Sequence, residues 1–363
     1  MNKLKVGIIG LGQVAEVHLK AYQDVKQIEV VACAEPRAER LAHMASQWGI
    51  TAYADYTDML QKEKLDIACV LTPAATHRSI VEEVAEYGVH VLCEKPMALS
   101  LADAKAMIEK CAQEGIKFYY GSSYRHLCAI KKAKDIIDSG TLGDLFLLTE
   151  TFVGGRGLEN WQGLSEHHYP QGGPGGGGMG LVDHGIHLAD VFRWLSGSEA
   201  TSVFGRGNIT GQAPGAEYLT MQFESGAVGQ LLYCDATFSS DLPYEGMFSW
   251  GLTYEPNGTL SPRPRWEDEP GSIRVHGARG ALRIFHYANK LFFFGPGRKE
   301  QVHVVDCPHP GNFGLQIESF ANSILRDEEP QVTGLDGLRA LQVILAAYES
   351  QKSQSAVRIE PVV

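Results

Sequence analysis

An apolar run, Val6-Gly7-Ile8-Ile9, breaks at "GLGQVA" (10–15) and resumes as a helical pattern to about Tyr22. A buried strand that turns through glycines directly into a helix is the opening unit of a wound α/β sheet, and few other folds accommodate it. The unit repeats. "IEVVACAE" (28–35) precedes "PRAERLAHMASQWG", with Pro36 at a helix start and Gly49 past its end. "LDIACVLTP" (65–73), "THRSIVEEVAEYG" (76–88) and "VHVLCE" (89–94) carry the alternation through the first 120 residues. The strand-like runs are almost continuously apolar, as they must be when helices cover both faces. The sequence predicts a doubly wound parallel sheet.

The turn has its own chemistry. Gly10 permits a tight bend, Gly12 lets a pyrophosphate approach the backbone at a helix N-terminus, and Ala15 still allows close helix–sheet packing. Gln13 and Val14 fall in the same first turn and count among the expected cofactor-binding residues. Glu35 lies 20 residues past Ala15, at the end of the second strand. A carboxylate there accepts ribose hydroxyls and repels a 2′-phosphate, so a dinucleotide site of this kind favours NAD over NADP. Arg37 stacks on the adenine, or weakens that preference, or is a solvated arginine in a first helical turn. The competing account of the turn is a plain strand–helix connection with no ligand.

Two further constellations follow. "CEKPM" (93–97) puts Glu94 and Lys95 at the carboxyl end of a parallel strand, where ligands of such sheets bind. Pro96 constrains the lysine backbone, and an X-Pro bond is one that can be cis. A partly desolvated lysine beside a cationic ring has a lowered pKa suited to proton transfer; the alternative is a surface ion pair. "GGGGMGLVDHGIHLADVFRWL" (175–195) runs from glycines into an apolar helical stripe. Asp183 and His187, four apart, share one face near the helix N-terminus, and a carboxylate beside an imidazole raises and orients it. A metal site from Asp183, His184 and His187 is the rival, but no ligand spacing completes it and no metal is expected. His167 and His168 are further candidate ligands for such a metal, or line the substrate loop, or are solvated.

Beyond Gly121 the pattern changes to a helix at 129–140 and strand-like runs at 145–153, 217–238, 272–285 and 290–295. The turns in "ESGAVG" and "GARGAL" read as antiparallel hairpins. Two loops, 154–180 and 239–270, are rich in Gly, Pro and aromatics, and helical patterns close the chain at about 312–326 and 335–350. The 363 residues suffice for two domains, and the net charge of −11 argues against a nucleic-acid partner. Seven cysteines without a C-x-x-C pair make no disulfide framework and fit a reducing cytoplasm. No run approaches the roughly 20 apolar residues of a membrane span.

"GLGQVA", "TPAATHRSI", "CEKP", "GGGGMGLVDHGIH" and "VTGLDGLRALQVILAAYES", in this order, resemble the Gfo/Idh/MocA family of sugar and cyclitol oxidoreductases over essentially the whole chain. The resemblance implies an NAD-binding Rossmann domain at 1–122 and an α+β domain at 123–363 with an open, mostly antiparallel sheet. One face of that sheet would serve a homo-oligomer (dimer or tetramer), the other the nicotinamide. It makes Lys95 the catalytic lysine, with Asp183 and His187 its partners across the substrate. Thr72, Pro73 and His77 would flank the cofactor, and Glu94 would sit by the nicotinamide ribose. Tyr124 and Arg125 of "SSYRH", Trp161 and His168 would border the substrate; His126 stands where an aromatic is common. The expected reaction is oxidation of a secondary alcohol of a small carbohydrate or cyclitol, with hydride passing to nicotinamide C4 and the proton to Lys95 or His187. Two other activities occur on the same scaffold: glycoside cleavage with transient use of NAD, and non-catalytic cofactor sensing.

Overall fold

In the computed structural model, strand β1 (Leu4–Ile9) lies at the centre of a six-stranded parallel sheet. Around it run β2 (Ile28–Ala34), β3 (Thr51–Tyr53), β4 (Ile67–Val70), β5 (His90–Cys93) and β6 (Phe118–Tyr120), in spatial order β3-β2-β1-β4-β5-β6. The residues described are 3–153, 180–207, 216–234, 273–286, 289–297, 301–304 and 311–361. Helices α1 (Gln13–Tyr22), α2 (Ala38–Trp48), α3 (Tyr56–Lys62), α4 (His77–Glu86) and α5 (Leu101–Gln113) form the crossovers. Strand order reverses between β1 and β4, so a crevice opens outside their carboxyl ends, the place where ligands of doubly wound sheets lodge. Ile67, Ala68, Cys69 and Val70 of β4 are wholly buried, which is why that run shows no alternation.

The described residues form two compact units. The first takes in those of Met1–Ser123 and also those of Pro308–Leu338, including α8 (Gly311–Leu325). The tyrosine ring of Tyr119 packs on Phe320, and Gln27 donates to Glu318 at 2.9 Å, so α8 completes this unit's core although it follows some 200 residues later in the chain.

The second unit takes in the described residues of Tyr124–Glu255, Leu260–Cys307 and Arg339–Val363. Its strands are β7 (Leu145–Val153), β8 (Ala200–Gly207), β9 (Glu217–Phe223), β10 (Val228–Cys234), β11 (Ile273–Gly277), β12 (Gly280–Phe285), β13 (Lys290–Phe294), β14 (Gln301–Val304) and β15 (Val357–Arg358). They order as β14-β13-β12-β11-β7-β10-β9-β8-β15 in one open sheet. All pairings are antiparallel except β7 with β10. Both glycine turns read as hairpins join their strands as expected, β9 to β10 and β11 to β12. From Val228 to Tyr233 of β10 every second residue is buried and those between are half-buried or exposed, because one face of the sheet packs inward. Helices α6 (Cys128–Asp138), α7 (Ile186–Ser196) and α9 (Gly334–Ser353) accompany the sheet, α9 starting within the first unit. Cys33, Cys69, Cys93, Cys111 and Cys234 are buried free thiols, whereas Cys128 is disulfide-bonded, a departure from the reduced cysteines that the sequence led us to expect. Among the described residues no helix is long and apolar enough to cross a membrane.

Candidate active site

In the first unit three connections converge on the carboxyl ends of the strands. After β1, Gly10 turns with φ +90°, and a Cβ there would lie 2.8 Å from Thr72 Cγ2; only glycine fits. Gly12 differs: its φ of −66° suits any residue, yet nothing lies within 4 Å of where its Cβ would be. That open space stands at the start of α1, whose N-terminus has no side-chain cap. Backbone N–H groups and open room together fit a pyrophosphate. Gln13 is exposed and Val14 half-buried in this first turn.

Glu35, just past β2, is 4% exposed and ties this region together. Its carboxylate accepts from Leu11 N (2.9 Å) within the glycine turn, and from Arg37 through its backbone N (3.1 Å), Nε (2.7 Å) and Nη2 (3.2 Å). Burial raises its pKa, but the Arg37 and Leu11 hydrogen bonds outweigh that and hold it below the usual carboxylate value. Arg40, which sequence reading passed over, donates from Nε to Leu11 O (2.7 Å) and from Nη2 to Gly12 O (3.3 Å), bracing the same turn from outside. Only its place one helical turn beyond Arg37 marked it.

After β4, Thr72 and Pro73 lead into a short 3₁₀ turn (Ala74–Thr76) and then His77. The His77 ring nitrogens lie 2.7 Å from Thr72 O and 3.2 Å from Met97 O, so the imidazole joins this connection to the one after β5. Burial lowers its pKa, against the opposing pull of the Thr72 and Met97 carbonyls. After β5 come Glu94, 5% exposed, and half-buried Lys95, with the Lys95–Pro96 bond cis. Glu94 Oε2 accepts from Lys95 N at 2.9 Å, and Oε1 lies 2.9 Å from His18 Nε2. Full burial raises the Glu94 pKa, but His18 and Lys95 overcome this and hold it below the usual value, as a carboxylate.

The second unit carries the other expected group. Leu181–Gly185 winds as a π-helical turn before α7 continues from Ile186, where an uninterrupted α-helix was expected. Glu217 of β9 accepts from Leu181 N at 3.0 Å and so caps the turn. Such turns recur at functional sites because the extra residue re-aims a side chain. Asp183 lies half-buried within it, and His187 is 8% exposed in the first turn of α7. Tyr124 stacks on His187 with centroids 4.0 Å apart, and its hydroxyl lies 3.5 Å from His184 Nδ1. His184 Nε2 is in turn 2.8 Å from Glu150 Oε2 of β7, both side chains buried. Arg125 sits in the interior with its guanidinium forked onto Asp190 of α7. Among the described residues no group of three or more His, Cys, Asp or Glu side chains could hold a metal. Trp161 and His168 lie outside the described residues, as do 154–179 and 239–270 of the two loops.

Comparison with known proteins agrees with this architecture. Residues 4–122 match the oxidoreductase family described by its NAD-binding Rossmann fold, and residues 134–359 match that family's C-terminal α/β domain. The scyllo-inositol 2-dehydrogenase (NAD(+)) of Bacillus subtilis is 27% identical over 373 residues, spanning 99% of this chain and 97% of that protein. The myo-inositol 2-dehydrogenase of Thermotoga maritima is 24% identical over 369 residues, spanning 99% and 100%. In fold, the chain matches an oxidoreductase from Agrobacterium radiobacter, solved in complex with NAD+, L-tartaric acid and magnesium. That match has a TM-score of 0.79 at 22% identity and covers 99% of each chain. The chain belongs to the Gfo/Idh/MocA oxidoreductase family, in which an NAD-binding Rossmann domain is joined to a C-terminal α/β domain.

Proposed function

We propose that this protein is an NAD-dependent dehydrogenase that oxidises a secondary alcohol of a sugar, sugar derivative or cyclitol. The observation that carries the reading is the uncapped α1 terminus with open space at Gly12, held in one Rossmann sheet with buried Glu35 and the Glu94–Lys95 strand end. Gly10, Gly12, Gln13 and Val14 would hold the pyrophosphate. Glu35 would take the adenosine ribose, with Arg37 at its rim, and Thr72, Pro73, His77 and Glu94 would hold the nicotinamide side. When bound, the nicotinamide supplies the hydride acceptor.

The protein's own part is orientation and proton transfer. Lys95 would donate a charge-assisted hydrogen bond to the substrate oxygen on which negative charge develops. His187 takes the hydroxyl proton, with Asp183 its electrostatic partner. Tyr124 keeps the imidazole plane fixed from behind. Trp161 and His168 would border the substrate in this reading, whereas the Arg125 guanidinium expected beside them is buried and forked onto Asp190. Half-exposed Leu147, Tyr218, Leu232 and Phe292 on the less covered face of the second sheet support a homo-oligomeric assembly.

The test is a panel of sugars and cyclitols offered with NAD, read as NADH absorbance. Turnover with at least one of them is expected, and Lys95→Ala should reduce it by several powers of ten while NAD still binds. Glycoside cleavage without net NADH would overturn the dehydrogenase reading, and near-full turnover by Lys95→Ala would overturn the catalytic assignment.

A further inference from the structure

His18 is wholly buried and charged-group chemistry surrounds it, yet no step above uses it. It lies on the inner face of α1, one and a half turns after Gly12. Its Nδ1 is 2.7 Å from Tyr22 Oη, which is itself 3.5 Å from Cys69 Sγ of β4, and its Nε2 is 2.9 Å from Glu94 Oε1. Phe313 of α8 packs on the ring at 4.7 Å and Tyr22 meets it edge-on at 5.4 Å, so the imidazole is held between two rings.

The donors in this chain can be assigned. Glu94 is a carboxylate and only accepts, so His18 Nε2 carries the hydrogen between them whatever the charge of the ring. Burial pushes the Tyr22 hydroxyl well above its ordinary value and the Cys69 thiol to about 12, so both keep their protons. Both oxygens of Glu94 are thereby held from the protein side, Oε1 by His18 and Oε2 by the Lys95 backbone N–H.

We propose that His18 is a positioning residue: through its Nε2–H it fastens the Glu94–Lys95 strand end to the helix that begins at the glycine turn, so that the nicotinamide half of the dinucleotide is gripped only while that bond is made. The adenosine and phosphate half touches the turn and Glu35 and does not depend on it. A helix and a strand end that hold opposite halves of one ligand need a fixed offset, and a buried charge-assisted hydrogen bond supplies it more rigidly than apolar packing. The inference rests on the dinucleotide reading of the first unit.

Two polar variants separate the imidazole's two nitrogens. His18→Gln keeps a donor near the Nε2 position, and His18→Asn keeps a polar group near Nδ1, facing Tyr22, and loses Glu94. Dissociation constants would be measured for NAD and for ADP, which carries the adenosine and both phosphates but neither the second ribose nor the nicotinamide. Loss of a hydrogen bond to a charged group predicts that His18→Asn weakens NAD by about tenfold. ADP should be held almost as before, and His18→Gln should behave like the unmodified protein toward both. Equal weakening of NAD and ADP by His18→Asn would show a merely structural histidine and overturn the proposal, as would indistinguishable behaviour of the two variants. An unmodified protein that binds neither nucleotide would instead refute the dinucleotide reading, and this inference with it. Because both variants are polar and smaller than histidine, their thermal midpoints serve as the folding control.

Discussion

The Tyr124 ring lies flat against the His187 imidazole, with centroids 4.0 Å apart and planes 7° from parallel. An imidazolium facing an aromatic π-cloud is stabilised by about 0.5–1 kcal/mol or more. A histidine that must be neutral to take a proton therefore loses activity at a higher pH with the ring than without it. Tyr124→Leu should move the acid limb of log kcat/KM toward lower pH by about half a unit, whereas Tyr124→Phe, which keeps the ring, should leave it nearly in place. An unmoved limb in Tyr124→Leu would mean that the stack does not act on the reacting base.

Gly10 and Gly12 answer to different constraints, and alanine separates them. At Gly10 a Cβ meets Thr72 Cγ2 at 2.8 Å and the Leu71 carbonyl at 3.1 Å, in a backbone with φ +90°. Gly10→Ala should cost roughly 1–3 kcal/mol of stability. At Gly12 nothing resists the methyl. Gly12→Ala should keep the thermal midpoint of the ligand-free protein but lose most of the upward shift that NAD produces. Thermal melts with and without NAD check both, and an unchanged NAD shift in Gly12→Ala would remove the pyrophosphate from this place.

Cofactor choice turns on Glu35 and the arginine it holds. While Arg37 is clamped by the carboxylate, a 2′-phosphate meets negative charge at this position. NAD should bind more tightly than NADP. In Glu35→Ala the freed Arg37 can pair with the 2′-phosphate while Leu11 N loses its acceptor, so the gap should narrow from both sides. Tryptophan fluorescence titrations measure it; equal affinities in the unmodified protein would contradict the assignment.

Burial pushes His126 and His286 down to about 3, helped at His126 by Lys131 and Arg125 and at His286 by His184. Their folded values lie below the unfolded value of about 6.5, so on acidification the unfolded chain takes up protons first. Stability is therefore full above about pH 6.5 and falls as pH drops toward 3, by at most about 1.4 kcal/mol per pH unit for each ring. His126→Phe, which does not titrate, should melt with a visibly shallower dependence on pH between 6.5 and 4.5. The same slope in both proteins would show that His126 is protonated in the fold.

How much of this was legible in the sequence depends on where the information sat. The glycine turn, β7 and the two hairpins were readable because strand period and turn residues are local. Very short strands such as β3 and β15 offered too few residues for any period, and they exist because longer neighbours present free edges to them. Residues 181–185 were read with a period of 3.6, which cannot register the extra residue of a π-turn. His18 shares the buried face of α1 with Ala15, Leu19 and Tyr22, and its partner Glu94 is 76 residues away, so no local pattern reports the pair. The Glu150–His184 pair is likewise set by β7's place in the sheet, and nothing near either residue announces it.

The α8 segment bears on how the chain is made. Tyr119 closes on Phe320, Lys117 reaches Glu328 O at 3.0 Å, and Tyr119 bridges to Thr333. His18 likewise waits for Phe313. A ribosome delivers residues 1–123 long before these partners emerge, so the parallel sheet must persist with one flank uncovered while every strand of the second sheet but β15 is synthesised. The nucleotide unit, first to begin, is thus among the last to finish. A gene cut after residue 123 would encode a sheet with its apolar flank bare, prone to aggregate rather than to bind, and the length of translation itself becomes part of the folding problem.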